Sequence, residues 1–196
     1  MEATGSYWMN IARFLHDYGY PVSVVNPATA AYFARMNLKR DKTDALDAIS
    51  LLDMGWLMPD KLPRWHAPPD IYEELHQRLT QRDNLVKMRV RNNNRDHARG
   101  QRIATVEPVE QRVLELSDLI SEQIVKLDEE LEQLLLSNPE WGQSAHYLMS
   151  ITGVKAITTG WIQVASLNFQ TFDTPEQASS FAGLVPRQRQ SGTSLN

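Results

Sequence analysis

The chemistry most readily seen in this chain is that of paired carboxylates. Asp44 and Asp47 stand three residues apart in a stretch of helical composition, so both side chains share one helix face. Two like charges held that close repel unless something neutralises them, and a divalent cation is the usual partner. Magnesium or manganese suits the pair, because hard cations take oxygen ligands and phosphoryl chemistry uses a cation that bridges attacking and leaving oxygens. The same spacing is common on solvated helices, so the pair alone does not decide. Its surroundings add weight: Lys39, Arg40 and Lys42 precede it, cations where a nucleic-acid backbone would approach a metal-dependent nuclease site. A third acid, Glu2, lies in Glu-Ala-Thr-Gly just ahead of the first helical stretch, an edge at which α/β folds place functional groups.

The elements that must hold these acids alternate in type over the first 58 residues. From Ser6 to Tyr18, Trp8, Ile11, Ala12, Leu15 and Tyr18 recur at helical spacing and Gly19 offers a stop. Val22, Val24 and Val25 form a short β-branched run closed by Asn26-Pro27, which reads as a buried strand. A second helix follows from Thr29 to Met36. A third begins at Thr43 as N-cap and turns Ala45, Leu46, Ala48, Ile49, Leu51 and Leu52 inward before Gly55 ends it. This alternation indicates an α/β layer over 1–58. Four prolines between Pro59 and Pro69 make residues 59–70 a linker.

Residues 71–137 read as a long helical arm, either an antiparallel hairpin or a coiled-coil dimer seam. In its second helix Val113, Leu116, Ile120, Ile124, Leu127, Leu131 and Leu134 follow gaps of three and four. Its first helix is basic: from Arg78 to Arg102 there are eight Lys or Arg against two Asp, whereas Glu107 to Glu140 holds ten acids against two bases. The net charge of −4 averages these opposite surfaces. Arg78, Arg82, Lys87, Arg89, Arg91, Arg95, Arg99 and Arg102 could be a solvated face, but their density favours a polyanion contact. Residues 138–196 form a helical C-terminal module. Around Gly153 the apolar positions Leu148, Ile151, Val154 and Ile157 look like a helix-hairpin-helix, whose turn can offer N–H groups to a phosphate. Lys155 stands where a second Gly is usual, and could itself meet a phosphate.

Several classes are excluded or disfavoured. With no cysteine, disulfides and thiolate-bound zinc are impossible. No apolar run is long enough to span a bilayer and no signal peptide is evident, so a cytoplasmic protein with no membrane partner is expected. His66, His76, His97 and His146 lack metal-ligand spacing and read as surface or packing residues. Trp56, Trp65, Trp141 and Trp161 read as core or interdomain anchors.

Several separated motifs resemble one family. Met-Glu-Ala-Thr-Gly-Ser-Tyr-Trp from Met1, Val-Val-Asn-Pro from Val24 and Lys-Thr-Asp-Ala-Leu-Asp-Ala from Lys42 resemble the RuvC-like DEDD transposases of bacterial insertion sequences. That family includes Piv-type invertases and bridge-RNA-guided recombinases. Gly153-Val154, Phe169 to Phe172, Phe181-Ala-Gly-Leu-Val-Pro-Arg and Ser191-Gly192 are similar to its second conserved domain.

The resemblance implies a partial RNase H-like (RuvC-like) domain followed by the arm and the start of a DNA-binding module, truncated at both ends. It implies that Glu2, Asp44 and Asp47 are three of the four DEDD acids and bind Mg²⁺ or Mn²⁺, while the first Asp has no counterpart. It places a serine nucleophile at Ser191, with Ser194 close by. DNA is the implied partner, with a guide RNA and a homo-oligomer through the arm as further expectations. The nucleic-acid contacts expected are Lys39, Arg40, Lys42, Arg78, Arg82, Lys87, Arg89, Arg91, Arg95, Gly153, Lys155, Arg187 and Arg189. Two competing readings are a non-catalytic nucleic-acid-binding or dimerising fragment of a transposase, and a RuvC-like Holliday-junction nuclease that needs no serine.

Overall fold

A computed structural model describes residues 1–36, 43–101, 104 and 106–186, with the backbone of 190–191 and 194–195. The described chain is mostly helical and divides into two compact units, Met1–Ala67 and Pro68–Asn196.

In the first unit, helix α1 (Tyr7–Asp17), helix α2 (Pro27–Met36), helix α3 (Asp44–Leu57) and a 3-10 turn at Pro59–Lys61 follow in order. The α/β layer expected here is represented by one parallel bridge between Glu2 and Val25. Val25 N–H donates to the Met1 carbonyl at 2.8 Å and Ala3 N–H to the Val25 carbonyl at 2.9 Å, with α1 as the crossover. On the other side of this segment Trp65 N–H donates to the Val22 carbonyl at 2.7 Å, which ties the proline-rich stretch expected as a linker into the unit. Val22 and Val25 are buried, as a strand reading requires.

The helices of this unit are sound, but their inward faces differ from expectation. Thr43 caps α3 as expected, accepting from Leu46 N–H. Gly55 does not end α3, which continues to Leu57. Its buried positions are Ser50 and Met54, whereas Ile49 and Leu52 point outward. Met54 packs with Val25 and Phe33 in a small cluster edged by Ala30, Met58 and Leu62. On α1 only Ala12 is fully buried, and Ile11 and Tyr18 are exposed. Trp8 and His16 instead meet Trp65 edge-on, with ring centroids 6.1 and 5.7 Å away. An alternating pattern reports that a face is apolar; which face is covered depends on neighbours the spacing does not contain.

The second unit opens with two 31-residue helices, α4 (Asp70–Gly100) and α5 (Glu107–Ser137). They run antiparallel: Arg78 faces Glu130, Arg82 faces Asp128, and Asn92 Nδ2 donates to the Val113 carbonyl at 3.3 Å. The apolar stripe of α5 is therefore occupied by α4 of the same chain, with Ile120, Ile124 and Leu131 buried and Leu116 left on the flank. At the base of this hairpin pack helix α6 (Gly142–Met149) and helix α7 (Ala156–Ser166); helix α8 (Pro175–Phe181) follows, and two short antiparallel strands, β1 (Gln190–Ser191) and β2 (Ser194–Leu195), end the unit.

Arm and C-terminal module share one core. Ile71, Leu75 and Leu79 from α4, Leu131 and Leu135 from α5, and Trp141, Ala145, Ala156 and Val164 from the following segments form a single buried cluster. Leu75, Leu79, Leu131 and Leu135 are completely buried, and each contributes roughly 1.5–3 kcal/mol by leaving water. Gly160 permits the close approach of α7: a Cβ there would lie 3.2 Å from Leu79 Cδ1. Among the described residues, no helix is long and apolar enough to cross a membrane.

Candidate carboxylate site and nucleic-acid interface

Asp44 and Asp47 lie in the first turn of α3, behind the Thr43 cap. Asp44 is exposed and Asp47 half-buried, and among the described residues neither is in an ion pair. Acids in a first turn are favoured by the helix dipole by about 0.3–1 kcal/mol each, so their position is stable without a ligand. As donors, two unpaired carboxylates on one face match the oxygen chemistry of Mg²⁺ or Mn²⁺. Glu2 is half-buried at the parallel bridge, where Thr4 Oγ1 donates to its Oε1 at 2.6 Å. The structure does not bring Glu2 to the aspartate pair: among the described residues no three His, Asp or Glu side chains group so as to hold a metal. Lys39, Arg40 and Lys42 lie outside the described residues.

Ser191 sits in β1 with Ser194 directly opposite it in β2. The two serines singled out by sequence are thus cross-strand neighbours. Arg187 and Arg189 lie outside the described residues.

The basic helix is not uniform. Arg82 is gripped by Asp128 of α5 through Nε, and through Nη2 at 3.2 Å from Oδ2. Hydrogen bonding to Asp128, more than offsetting desolvation, raises the Arg82 pKa further above its ordinary value. Arg78 reaches Glu74 and Glu130, each at 3.3 Å. These two arginines hold the hairpin together, and their carboxylate partners are residues that sequence reasoning did not single out. Only the antiparallel register of two helices reveals Asp128 and Glu130, since they lie 46 and 52 residues away in sequence. Farther out on α4, Arg99 pairs with Asp96 at 3.0 Å. Among the described residues Lys87, Arg89, Arg91 and Arg95 are in no ion pair.

In the C-terminal module, α6 and α7 are joined through a turn in which Gly153 adopts a φ of 89° and Val154 N–H donates to the Ile151 carbonyl at 3.0 Å. A side chain would be strained at that φ. Lys155 is the N-cap of α7 and is exposed, without a side-chain cap. The other end of α7 carries a feature with no sequence signal, as Leu167, Asn168 and Phe169 all have positive φ. A polar cluster holds this turn: Gln163 Nε2 donates to the Trp141 carbonyl at 2.9 Å and to Ser144 Oγ at 2.8 Å, and Ser144 Oγ also reaches Asn168 Oδ1. Ser166 Oγ accepts from Phe169 N–H at 3.0 Å.

The aromatic expectations divide. Trp141 is buried, Trp161 lies 6.3 Å from the His76 ring and Trp65 meets Trp8, but Trp56 is 84% exposed and anchors nothing among the described residues. His76 stacks on Tyr72 and His66 approaches His16, which are packing roles.

Comparison with known proteins gives two matches, the first of which crosses from one unit into α4 of the other. Residues 1–99 match a family described as transposase, of the DEDD IS110 type. Residues 145–196 match a second pattern, described as the transposase IS116/IS110/IS902 family. The pilin gene-inverting proteins of Moraxella bovis and Moraxella lacunata are each 30% identical over 196 residues, which is all of this chain. The chain spans 58% of the length of these two relatives.

Proposed function

Because this chain belongs to the IS110-type transposase family, we propose that it works in metal-dependent DNA strand cleavage and rejoining, as a transposase or DNA recombinase. The observation that carries this reading is the order of the two family matches, one covering Glu2, Asp44 and Asp47 and the other covering Ser191. The parallel bridge at Glu2, with α1 as crossover, supports an RNase H-like arrangement of the first unit. The 30% identity to proteins named for inverting a pilin gene supports DNA as the partner.

In this reading Asp44 and Asp47 would hold Mg²⁺ or Mn²⁺, and Glu2, which the structure leaves apart from them, would have to approach the pair to join as the third acid. When bound, the ion supplies charge neutralisation at a phosphate and at the leaving oxygen. The Ser191 hydroxyl attacks the phosphorus: a seryl O–P bond forms, the strand's P–O bond breaks, and the seryl proton passes to the departing oxygen. Attack by a strand hydroxyl on the seryl ester reverses these changes and rejoins DNA. Basic residues of α4 and the Gly153 turn with Lys155 hold the nucleic acid, and a guide RNA would use the same kind of surface.

The test is a denaturant-resistant protein–DNA adduct formed in the presence of Mn²⁺, together with the thermal shift produced by Mn²⁺ alone. Ser191→Ala should abolish the adduct and leave the metal-induced shift; Asp44→Asn with Asp47→Asn should abolish both. A chain that binds DNA yet shows neither adduct nor metal response would be a binding fragment. An adduct that survives Ser191→Ala but not Ser194→Ala would move the nucleophile across the strand pair.

A further inference from the structure

The arm has two flanks, and one of them changes character along its length. On α4 the positions 74, 81, 88 and 95 are seven apart and share a flank; on α5 so do 116, 123 and 130. At the base these two flanks lie on the same side of the hairpin, because Arg78 bridges Glu74 and Glu130, and Glu74, Gln81 and Leu127 line one shallow groove. Antiparallel pairing carries the same side outward to Met88, Arg91 and Arg95 on α4 and to Arg112, Leu116 and Leu119 on α5. Acids at the base give way to Gln81 and Gln123 in the middle, and then to three arginines, with Glu115 bordering Arg112 and Leu119. Arg91, Arg95 and Arg112 are exposed and, among the described residues, unpaired. Between them Met88 is 47%, Leu116 45% and Leu119 52% exposed.

We infer that this outer flank, with Arg91, Arg95 and Arg112 around Met88, Leu116 and Leu119, is a binding surface for single-stranded nucleic acid, and that Arg78 and Arg82 belong to the scaffold. The inference rests on the nucleic-acid reading above and narrows it. Three guanidinium groups that are in no ion pair among the described residues suit a phosphate chain. Apolar side chains among them would gain nothing from a duplex backbone, whereas a single strand offers base faces to cover them. A two-fold contact centred on the arginines would set each cluster against its own copy, whereas one centred on Gln81 and Gln123 would set it against the acids at the base. A dimer of the free chain that replacing the three arginines abolishes would identify that second copy as the occupant and overturn the inference.

The full chain is titrated, at several salt concentrations, against a labelled single-stranded oligonucleotide of mixed sequence and against a duplex of equal length. Replacing Arg91, Arg95 and Arg112 by Ala should weaken single-strand binding at least tenfold and reduce the slope of log K against log salt by about 2, since each phosphate contact contributes roughly 0.7. Arg82→Ala should leave that slope unchanged. Met88→Ser with Leu116→Ser should weaken the single strand more than the duplex. A wild-type chain that binds nucleic acid, with the triple variant indistinguishable from it, would overturn this inference alone. Equal effects of the serine changes on both ligands would overturn the single-strand assignment, and no nucleic-acid binding by the wild type would overturn this inference and the broader reading together.

Discussion

The two units of this chain close their cores to very different degrees. In Pro68–Asn196, two long helices and two short ones converge on a cluster in which four leucines and Trp141 are essentially lost to solvent. In Met1–Ala67 the buried cluster is Val25, Phe33 and Met54, while Tyr7, Tyr18 and Trp56 are 88%, 70% and 84% exposed. The helices of both units obey the same local rules, so the contrast teaches that helix formation and core formation are separable. The second unit carries partners for its apolar faces within its own sequence; the first shows apolar surface on both sides of α1 and α3.

Substitutions can break or sharpen that contrast. The largest effect is expected from Trp141→Ala, which empties the centre of the second unit and should cost about 3–5 kcal/mol in denaturant unfolding. Gly160→Val comes next, at about 1–3 kcal/mol, because a Cβ would press on Leu79 where α7 approaches α4. Phe33→Ala in the first unit should cost less than the Trp141 change, about 1–2 kcal/mol, since a cluster of three buried side chains can collapse onto the space the ring leaves. If it cost as much, the two units would be equally well packed and the contrast would fail. The smallest is Arg82→Ala, at about 1 kcal/mol after discounting for solvent around Asp128. Hydrogen exchange supplies an independent check: amides of α1 and α3 should exchange faster than those of α6 and α7.

Much of this was readable in the residues, and the failures share a cause. The cap at Thr43 and the stripe from Val113 to Leu134, Leu116 excepted, follow from local chemistry and spacing and appear in the structure. The inward set of α3 was misassigned because Ile49, Leu52 and Trp56 are apolar yet uncovered, while Ser50 is buried. At the carboxylate site, spacing placed Asp44 and Asp47 together, but no spacing rule could bring Glu2 to them from 42 residues away. Arg78 and Arg82 looked like the rest of the basic helix because their partners lie on another element. The left-handed turn at Leu167–Phe169 left no trace at all, since Leu and Phe are unusual hosts for positive φ and only the surrounding polar cluster explains it.

The polar contacts across the arm also carry positional information that its apolar seam lacks. A seam repeating every seven residues is nearly indifferent to sliding by one repeat, because Leu and Ile would again meet Leu and Ile. A slide of one repeat would set Arg82 against Ser121 or Leu135 in place of Asp128, and Arg78 against Gln123 or Ser137 in place of Glu130, so these two pairs are satisfied in one alignment only. They act like two pegs in a slotted rail: the slots say that the rails fit, and the pegs say where. Seven residues inserted into α5 alone between Glu130 and Leu131 would preserve every slot and displace both pegs. Seven inserted into both helices beyond Asn92 and Val113 would move neither, so the arm can lengthen outward while its base keeps the same alignment.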